Sequence, residues 1–254
     1  MKKLFLLLVI SGMLASCSKQ HLTAPGPNPT AVSKRLARLI AEETTGDSKT
    51  FTYDANGRIV RIEDSLQLIT LVFNGNTVSY TRILKATSVT TGSGTITLDS
   101  KGNATHFDYN YLTSVGTLTT ISTDYVYNSD GYMIEQSSVY SDGYRPSIKT
   151  EYTNGNATKE SYYDNGVLSV YWIYTYSTVE DRTPVNFNFP VYTNCMAGKL
   201  NKNLLVKEEQ YNPSGVKTRE IQIDNQFDAD NYVQRKTIKF VGTATTLHQS
   251  FLYN

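Results

Sequence analysis

Over long stretches of this chain, apolar and polar residues alternate with a period of two. In Val167 to Ser177, the residues Leu168, Val170, Trp172, Tyr174 and Tyr176 fall on one face, and Thr119, Ile121, Thr123, Tyr125 and Tyr127 share a face of another run. That period is the mark of a half-buried β-strand. Between the runs a turn recurs: an aromatic residue, then Asp or Asn, a short gap, and Gly. Tyr53-Asp54-Ala55-Asn56-Gly57 is the fullest copy, and Tyr127 to Gly131 and Tyr211 to Gly215 repeat it. Leu98 to Gly102 keeps the spacing with Leu in the aromatic place, and Phe227 to Asn231 ends in Asn rather than Gly. Shorter forms are Phe73-Asn74-Gly75, Tyr140 to Gly143, Tyr152 to Gly155 and Tyr163 to Gly166. Asn-Gly and Asp-Gly accept the positive φ that tight hairpins need, and the Asp or Asn side chain can hold the turn backbone. Turns at roughly a dozen residues' spacing imply consecutive antiparallel strands.

One segment is ambiguous. In Ala31 to Thr44, Val32, Leu36, Leu39 and Ile40 have helical spacing, but Leu36, Arg38, Ile40 and Glu42 also alternate against Ala37, Leu39 and Ala41. A strand from about Arg35 is favoured, because Gly46-Asp47 and Phe51-Thr52-Tyr53 then complete a first hairpin. The fold expected is all-β: one domain over residues 34–254, a long antiparallel meander of hairpins curled into an open or partly closed barrel. Twist would curl so long a sheet, and curling reduces exposed edges.

The N-terminus breaks the alternation. Lys2 and Lys3 precede an unbroken apolar run, Leu4 to Ile10, too short to span a bilayer, which needs roughly 20 apolar residues. This is the layout of a secretory signal. Leu14-Ala15-Ser16-Cys17 resembles the bacterial lipobox, in which a small residue precedes a cysteine that takes a diacylglycerol and a peptidase cuts just before it. The resemblance implies a signal over residues 1–16, recognition through Leu14, Ala15 and Ser16, and lipidation of Cys17. Residues 17–33, with Pro25, Gly26, Pro27 and Pro29, read as a flexible tether. The chain would then be held on a membrane of the cell envelope, most simply the outer membrane, on its periplasmic or surface face.

Composition supports the β reading: there are 19 tyrosines against one tryptophan, with abundant Thr, Ser and Val. The formal net charge of +1 is spread along the chain, so no basic block suggests nucleic acid. With Cys17 lipidated, Cys195 has no partner and reads as a small buried apolar residue.

Tyr53 to Ile59 resembles the YD repeat of Rhs-type and teneurin-type proteins. As a whole, residues 34–254 more closely resemble a group of uncharacterised lipoproteins of Bacteroides-type bacteria (the DUF4595-like group). That group combines a lipobox with YD-like hairpins, and the resemblance implies a porin-like β fold. The segment Thr183 to Leu205, with Thr183-Pro184, Asn186-Phe187 and Gly198-Lys199-Leu200-Asn201-Lys202-Asn203-Leu204, is similar to an irregular excursion in that group. The chain lacks a toxin-like C-terminal domain, so a shell enclosing cargo is not expected.

Candidate chemistry is sparse. The sequence contains no nucleophile elbow, HExxH, P-loop or GxGxxG, so the chain reads as non-enzymatic, without cofactor or metal. His106 on a strand reads as solvent-facing; with Asp108 it could share a metal, but no third ligand is identifiable. Asp224, Asp228 and Asp230 surround a turn and read as turn-formers rather than a calcium loop. Glu180-Asp181 and Glu208-Glu209 read as solvated edge charges rather than an acid pair. Asp64-Ser65-Leu66 resembles a short O-glycosylation acceptor of Bacteroides-type exported proteins.

The run from Glu180 to Asn203 lacks repeat turns, and Phe187, Phe189 and Tyr192 within it are the candidate lid or ligand contacts. Two functional readings remain. One is a monomeric binding or scaffold module whose Tyr- and Thr-rich sheet contacts glycans or proteins. The other is a carrier of an apolar ligand in a curled sheet under the 180–203 lid. A transmembrane barrel is disfavoured, because Arg61 and Glu63 on one face, and Lys159 and Glu160 on successive faces, leave no clean lipid-facing band.

Overall fold

The computed structural model describes residues 34–43, 48–113, 116–183 and 196–254. Within them the chain forms sixteen strands. These are β1 (Leu36–Ala41), β2 (Lys49–Tyr53), β3 (Ile59–Glu63), β4 (Gln67–Asn74), β5 (Thr77–Leu84), β6 (Val89–Leu98), β7 (Ala104–Leu112) and β8 (Leu118–Tyr127). They continue with β9 (Met133–Tyr140), β10 (Pro146–Thr153), β11 (Asn156–Asp164), β12 (Val167–Glu180), β13 (Asn203–Tyr211), β14 (Lys217–Phe227), β15 (Val233–Phe240) and β16 (Thr246–Tyr253). Each pairs antiparallel with its neighbours in sequence, and β1 pairs with β16, so the meander closes into a barrel. The seam sets Leu39 opposite Phe251 and Leu36 opposite Tyr253, and Arg35 and Asn254 exchange backbone hydrogen bonds beyond it. Whether the sheet closes was open in the turn pattern; the seam answers it. The ambiguous first segment is a strand, and β1 and β2 form the first hairpin, with Leu39 opposite Lys49.

Closure gives the barrel two ends. The lower end holds both termini of the described body and the turns from even to odd strands; the upper end holds the odd-to-even turns. The YD-like turns of β2–β3, β6–β7, β8–β9 and β14–β15 all lie at the lower end and are built alike. The Asp54 carboxylate accepts from the backbone N–H of Asn56 and Arg58, each at 2.9 Å. Asp99, Asn128 and Asp228 accept in the same way from the residues two and four positions on. Position five takes φ near +80° in Gly57, Gly102 and Gly131, and Asn231 manages it at +63°. Asp228 and Asp230 are thus turn and ion-pair residues, both gripped by Lys34.

Each of these turns is followed by a bulge in the odd strand. Tyr53 pairs with Ile59 but Thr52 with Arg61, leaving Val60 as the extra residue. Thr105, Ile134 and Gln234 are extra in β7, β9 and β15, as are Thr158 in β11 and Ala37 in β1. A bulge places residues three apart on the same side of the sheet. This explains the helical spacing of Leu36 and Leu39, both of which are buried. The residue before each bulge points inward, and with Val78 and Leu204 these complete a belt. All eight odd strands supply one buried apolar residue at the lower rim: Leu36, Ile59, Val78, Ala104, Met133, Ala157, Leu204 and Val233.

The repeat's tyrosine ties this belt together. Tyr53, at the end of β2, donates its hydroxyl to the carbonyl of Leu36 at the start of β1, at 2.9 Å. Tyr127 does the same to Ala104 at 2.8 Å, and Tyr253 to Val233 at 2.8 Å. In each case the last residue of an even strand holds the first residue of the strand before it. Tyr211, whose turn lies at the upper end, instead stacks on Tyr171 with ring centroids 5.1 Å apart.

Inward and outward faces differ sharply in content. Inward, β1 to β7 pack Leu39, Phe51, Ile62, Ile69, Leu71, Val78, Tyr80, Ile96 and Phe107 into an apolar core. Outward, threonine, serine and charged residues dominate. Arg61 pairs with Glu63 at 2.8 Å, Lys159 with Glu151 at 3.2 Å, Lys217 with Glu209 at 3.1 Å, and Arg235 with Glu42. A register shift between Val170 and Leu168 takes Leu168 off the face it was expected to share with Trp172, Tyr174 and Tyr176.

The tyrosine ties are testable by equilibrium denaturation. Tyr53→Phe and Tyr253→Phe should each cost about 1 kcal/mol, the worth of a partly buried hydrogen bond. Tyr127→Phe should cost more, because its hydroxyl also reaches the Met196 carbonyl at 3.3 Å. Tyr211→Phe, in the same repeat without such a tie, should stay within ~0.5 kcal/mol of the parent.

Candidate functional site in the barrel interior

The interior has two walls of opposite character. On β6 and β7 it is aromatic: Phe107, Tyr109 and Tyr111 alternate along one strand and stack at 5.3 and 5.6 Å, with Tyr80 edge-on to Tyr109 at 5.4 Å. Two glycines opposite make this possible. A Cβ on Gly92 would strike the Tyr109 hydroxyl, and one on Gly94 would strike the Asp108 carbonyl and come within 2.8 Å of the Phe107 ring.

On β11 to β15 the wall is polar and charged. Register places Glu160 opposite Trp172, Tyr162 opposite Val170, and Tyr174 opposite Glu208, all on the inner face. The Glu160 carboxylate accepts the Tyr174 hydroxyl at 2.8 Å and the Tyr162 hydroxyl at 3.0 Å. Burial pushes the Glu160 carboxyl above the ordinary carboxylate range, against the opposing pull of those two hydroxyls. Glu208 is raised by burial and by the charge of Glu160, with Arg219 and Lys236 opposing. Lys236 is pushed down by burial, against the attraction of Asp181 and Glu208. No carboxylate among the described residues comes within ion-pair distance of its ammonium, which sits 5.5 Å from the Phe251 ring centre. These side chains are enclosed by the barrel, yet Glu160, Tyr162, Trp172, Tyr174, Glu208 and Lys236 are only half-buried, whereas Ile59, Ile62, Ile69, Leu71, Val78 and Tyr80 on β3 to β5 are almost wholly so. The polar wall therefore borders interior space.

That space opens upward. A cleft of 230 Å³ between β9, β10 and β11 is lined by inward-facing Gln136, Ser138, Tyr140, Pro146, Ile148, Tyr162 and Asp164, with Tyr144, Ser147 and Tyr163 at its rim. The Tyr144 hydroxyl donates to Asp164 and holds that carboxyl below its ordinary value. The Oε1 atom of Gln136 is buried without a hydrogen-bond partner. Tyr162 links the cleft to the Glu160 cluster one inward position deeper.

The lower end is closed in this sector by the segment after the excursion. Lys199 N–H donates to the Gly131 carbonyl and Lys202 N–H to the Gly155 carbonyl, each at 2.9 Å. The Asn201 side chain accepts from Ala157 N–H at 2.8 Å, and Asn156 accepts from Asn203 N–H at 2.8 Å. Gly198 sits against Tyr127 and the Gly131 carbonyl, where no Cβ would fit. The Gly198 to Leu204 motif thus laces three strand ends together.

Of the residues singled out in the sequence, Leu14, Ala15, Ser16 and Cys17 lie outside the described residues, as do Phe187, Phe189, Tyr192 and Cys195. His106 faces outward, with Asp124 at 2.7 Å on Nδ1 and Asp108 at 3.1 Å on Nε2. The Asp124 hydrogen bond, with Asp108 adding, raises its pKa, and the two carboxylates take opposite ring nitrogens rather than converging on one point. Among the described residues no cluster fit to hold a metal is found. Asp64 caps its turn by accepting from Leu66 and Gln67 N–H, which leaves Ser65 exposed.

Two expectations need correction. Glu209 and Glu180 are outward charges, but Glu208 and Asp181 are enclosed, because successive residues of a strand face opposite sides of a wall that proves to be closed. Glu160 and Lys236 escaped notice as site residues. The signal was available: Glu160 shares a face with Tyr162, and Lys236 with Ile238 and Phe240.

No protein-family model matches the chain, and no curated protein matches it. Solved structures do. A porin-like protein from Bacteroides vulgatus superposes with a TM-score of 0.67 at 16% identity, covering 87% of this chain and 99% of that one. A porin-like protein from Bacteroides uniformis gives 0.63 at 14% identity, covering 87% and 95%. At these identities the likeness is one of fold, the closed all-β antiparallel barrel.

The enclosed Glu160 makes a pH prediction. Its pKa is raised on folding, so the folded state holds the proton more tightly, and stability falls as pH rises from the ordinary value of 4.5 through the folded one. Glu160→Gln removes that penalty and keeps the shape. In denaturation series the variant should match the parent below pH 4.5 and exceed it at neutral pH; a parallel offset at every pH would show that the carboxyl is not the cause.

Proposed function

We propose that the protein is a lipid-anchored, non-enzymatic barrel of the cell envelope that binds a small polar ligand in its interior. The observation that carries this reading is the polar wall of Glu160, Tyr162, Tyr174, Glu208 and Lys236 bordering space that opens at the upper end. Desolvating carboxyl groups is costly unless they are paired. A barrel serving only as a scaffold gains nothing from this wall, since an apolar filling like that of β1 to β7 would be more stable. The same wall counts against the carrier of a purely apolar ligand, which would strand these groups.

The polar exterior supports a barrel beside a membrane rather than through it. A spanning barrel shows an apolar band about 25 Å tall on its outer wall. Here the outward strand positions carry the Arg61–Glu63, Lys159–Glu151 and Lys217–Glu209 pairs. The lipobox-like Leu14 to Cys17 and the YD-like hairpins support the likeness to Bacteroides-type lipoproteins, the DUF4595-like group among them. Residues 17–33 could separate barrel and bilayer by at most about 60 Å.

Two experiments test the two halves of the proposal. Cys17→Ala should release the protein from membranes; retention of the variant would sink the anchor. For the interior, Val170→Cys in a Cys195→Ser background should react with a small, neutral thiol reagent and not with a bulky one. Failure to react with either, in a folded protein, would mean that the interior is closed and that ligand is bound elsewhere.

A further inference from the structure

We propose that the upper cleft and the Glu160 cluster beneath it form a binding site for a neutral saccharide; this rests on the interior-binding reading and names the ligand class. Three features of the wall select that class. First, its free groups are mainly acceptors. Gln136 Oε1 is buried without a partner, Glu160 keeps acceptor capacity beyond the two tyrosine hydroxyls, and deeper in, Asn225 Oδ1 is likewise buried and unpaired. A ligand must therefore donate hydrogen bonds, and several of them. Second, the wall holds a free donor, the Lys236 ammonium on β15, which no described carboxylate reaches at ion-pair distance; the Tyr162 and Tyr174 hydroxyls give their protons to Glu160 and can only accept. A ligand must also accept. A hydroxyl group does both, and a ring of hydroxyls does so in several directions at once. Third, the cleft presents ring faces as well as polar atoms. Tyr140 and Tyr162 line it, with Trp172 one inward position below. A sugar's C–H face packs on such rings while its edge stays polar.

Charge excludes the nearest alternatives. An anion entering the cleft would meet Asp164 with Glu160 beneath it, and no cationic side chain lines the cleft itself, Lys236 lying four strands away on β15. An aliphatic chain would leave Gln136 Oε1 and Glu160 unpaired, at the cost of buried, unsatisfied polar groups. A cation would be drawn to the carboxyls but would lie against the Tyr162 and Tyr174 hydroxyl protons already directed at Glu160. The cleft, at 230 Å³, has room for about eight waters at ~30 Å³ each, and so for a single sugar ring with its remaining hydration.

The chain carries its own reporter, since Trp172 is the one tryptophan. The purified full chain should be titrated with methyl glycosides of neutral hexoses and N-acetylhexosamines, with decanoate, putrescine and inorganic phosphate as the competing classes. At least one neutral glycoside should change Trp172 emission saturably, with a midpoint at or below the millimolar range. Gln136→Leu and Glu160→Gln should each weaken it about tenfold. Lys207→Ala, on the outer wall, should leave it unchanged, and thermal melts of all three variants should confirm that they fold. The proposal is overturned if no glycoside binds, if a competing class binds in its place, or if the two inner variants bind as well as the parent. Should Val170→Cys still react with the small reagent when no glycoside binds, the ligand class is wrong and interior binding stands. Should it fail to react, both fall together.

Discussion

The pairing of β1 with β16 is the constraint on which the rest of the molecule depends. An antiparallel sheet of sixteen strands with free ends would expose two rows of unpaired backbone groups and have no fixed inside. Once Leu39 lies opposite Phe251, every strand has two neighbours, and alternation along the chain becomes a division between interior and exterior. A one-residue slip at the seam would invert β1 and send Leu36 and Leu39 to solvent. The reciprocal hydrogen bonds of Arg35 and Asn254, and the Tyr253 tie to Val233, lie beside this seam and fix its register.

The barrel is polarised along its axis and across it. Along the axis, the tyrosine ties and most of the bulges gather at the lower rim, where eight buried residues form the belt; the upper rim holds the cleft. Across it, the β1 to β7 side is filled mainly by aliphatic and aromatic side chains, with Lys49 and Arg82 inward toward the upper end, and the β11 to β15 side carries most of the charge. Both asymmetries come from the sequence of the hairpins rather than from separate domains. The first stabilises. The second opposes stability, as the raised carboxyls and lowered lysine attest, and so needs another reason for its presence.

Much of the fold was legible because its signals are local. Asp54, Asp99, Asn128 and Asp228 build their turns from backbone groups within four residues, so their sequence announces their structure. The tyrosine at the head of the repeat was legible as a feature but not as a function: its hydroxyl reaches a carbonyl 17 to 23 positions back, which the turn itself does not reveal. The bulges were misleading for a physical reason, since an extra residue such as Ala37 or Val60 converts a strand's period into the three-residue spacing of a helix. The interior site was the least legible part. Glu160 and Lys159 are neighbours of equal polarity, and only closure, a long-range event, makes one of them enclosed and the other a surface ion-pair member.

The repeated lower-rim turn has a consequence for how such barrels change size. The hairpins β2–β3, β6–β7, β8–β9 and β14–β15 each carry their own Asx turn, bulge and contribution to the belt, and each strand pairs only with the strands beside it. A duplicated hairpin could therefore be spliced into the ring without redesigning distant parts, widening the interior by two strands at a time. Barrels of this kind can differ in bore while sharing the same stitch, and bore, together with the few side chains that face it, would decide what each one holds.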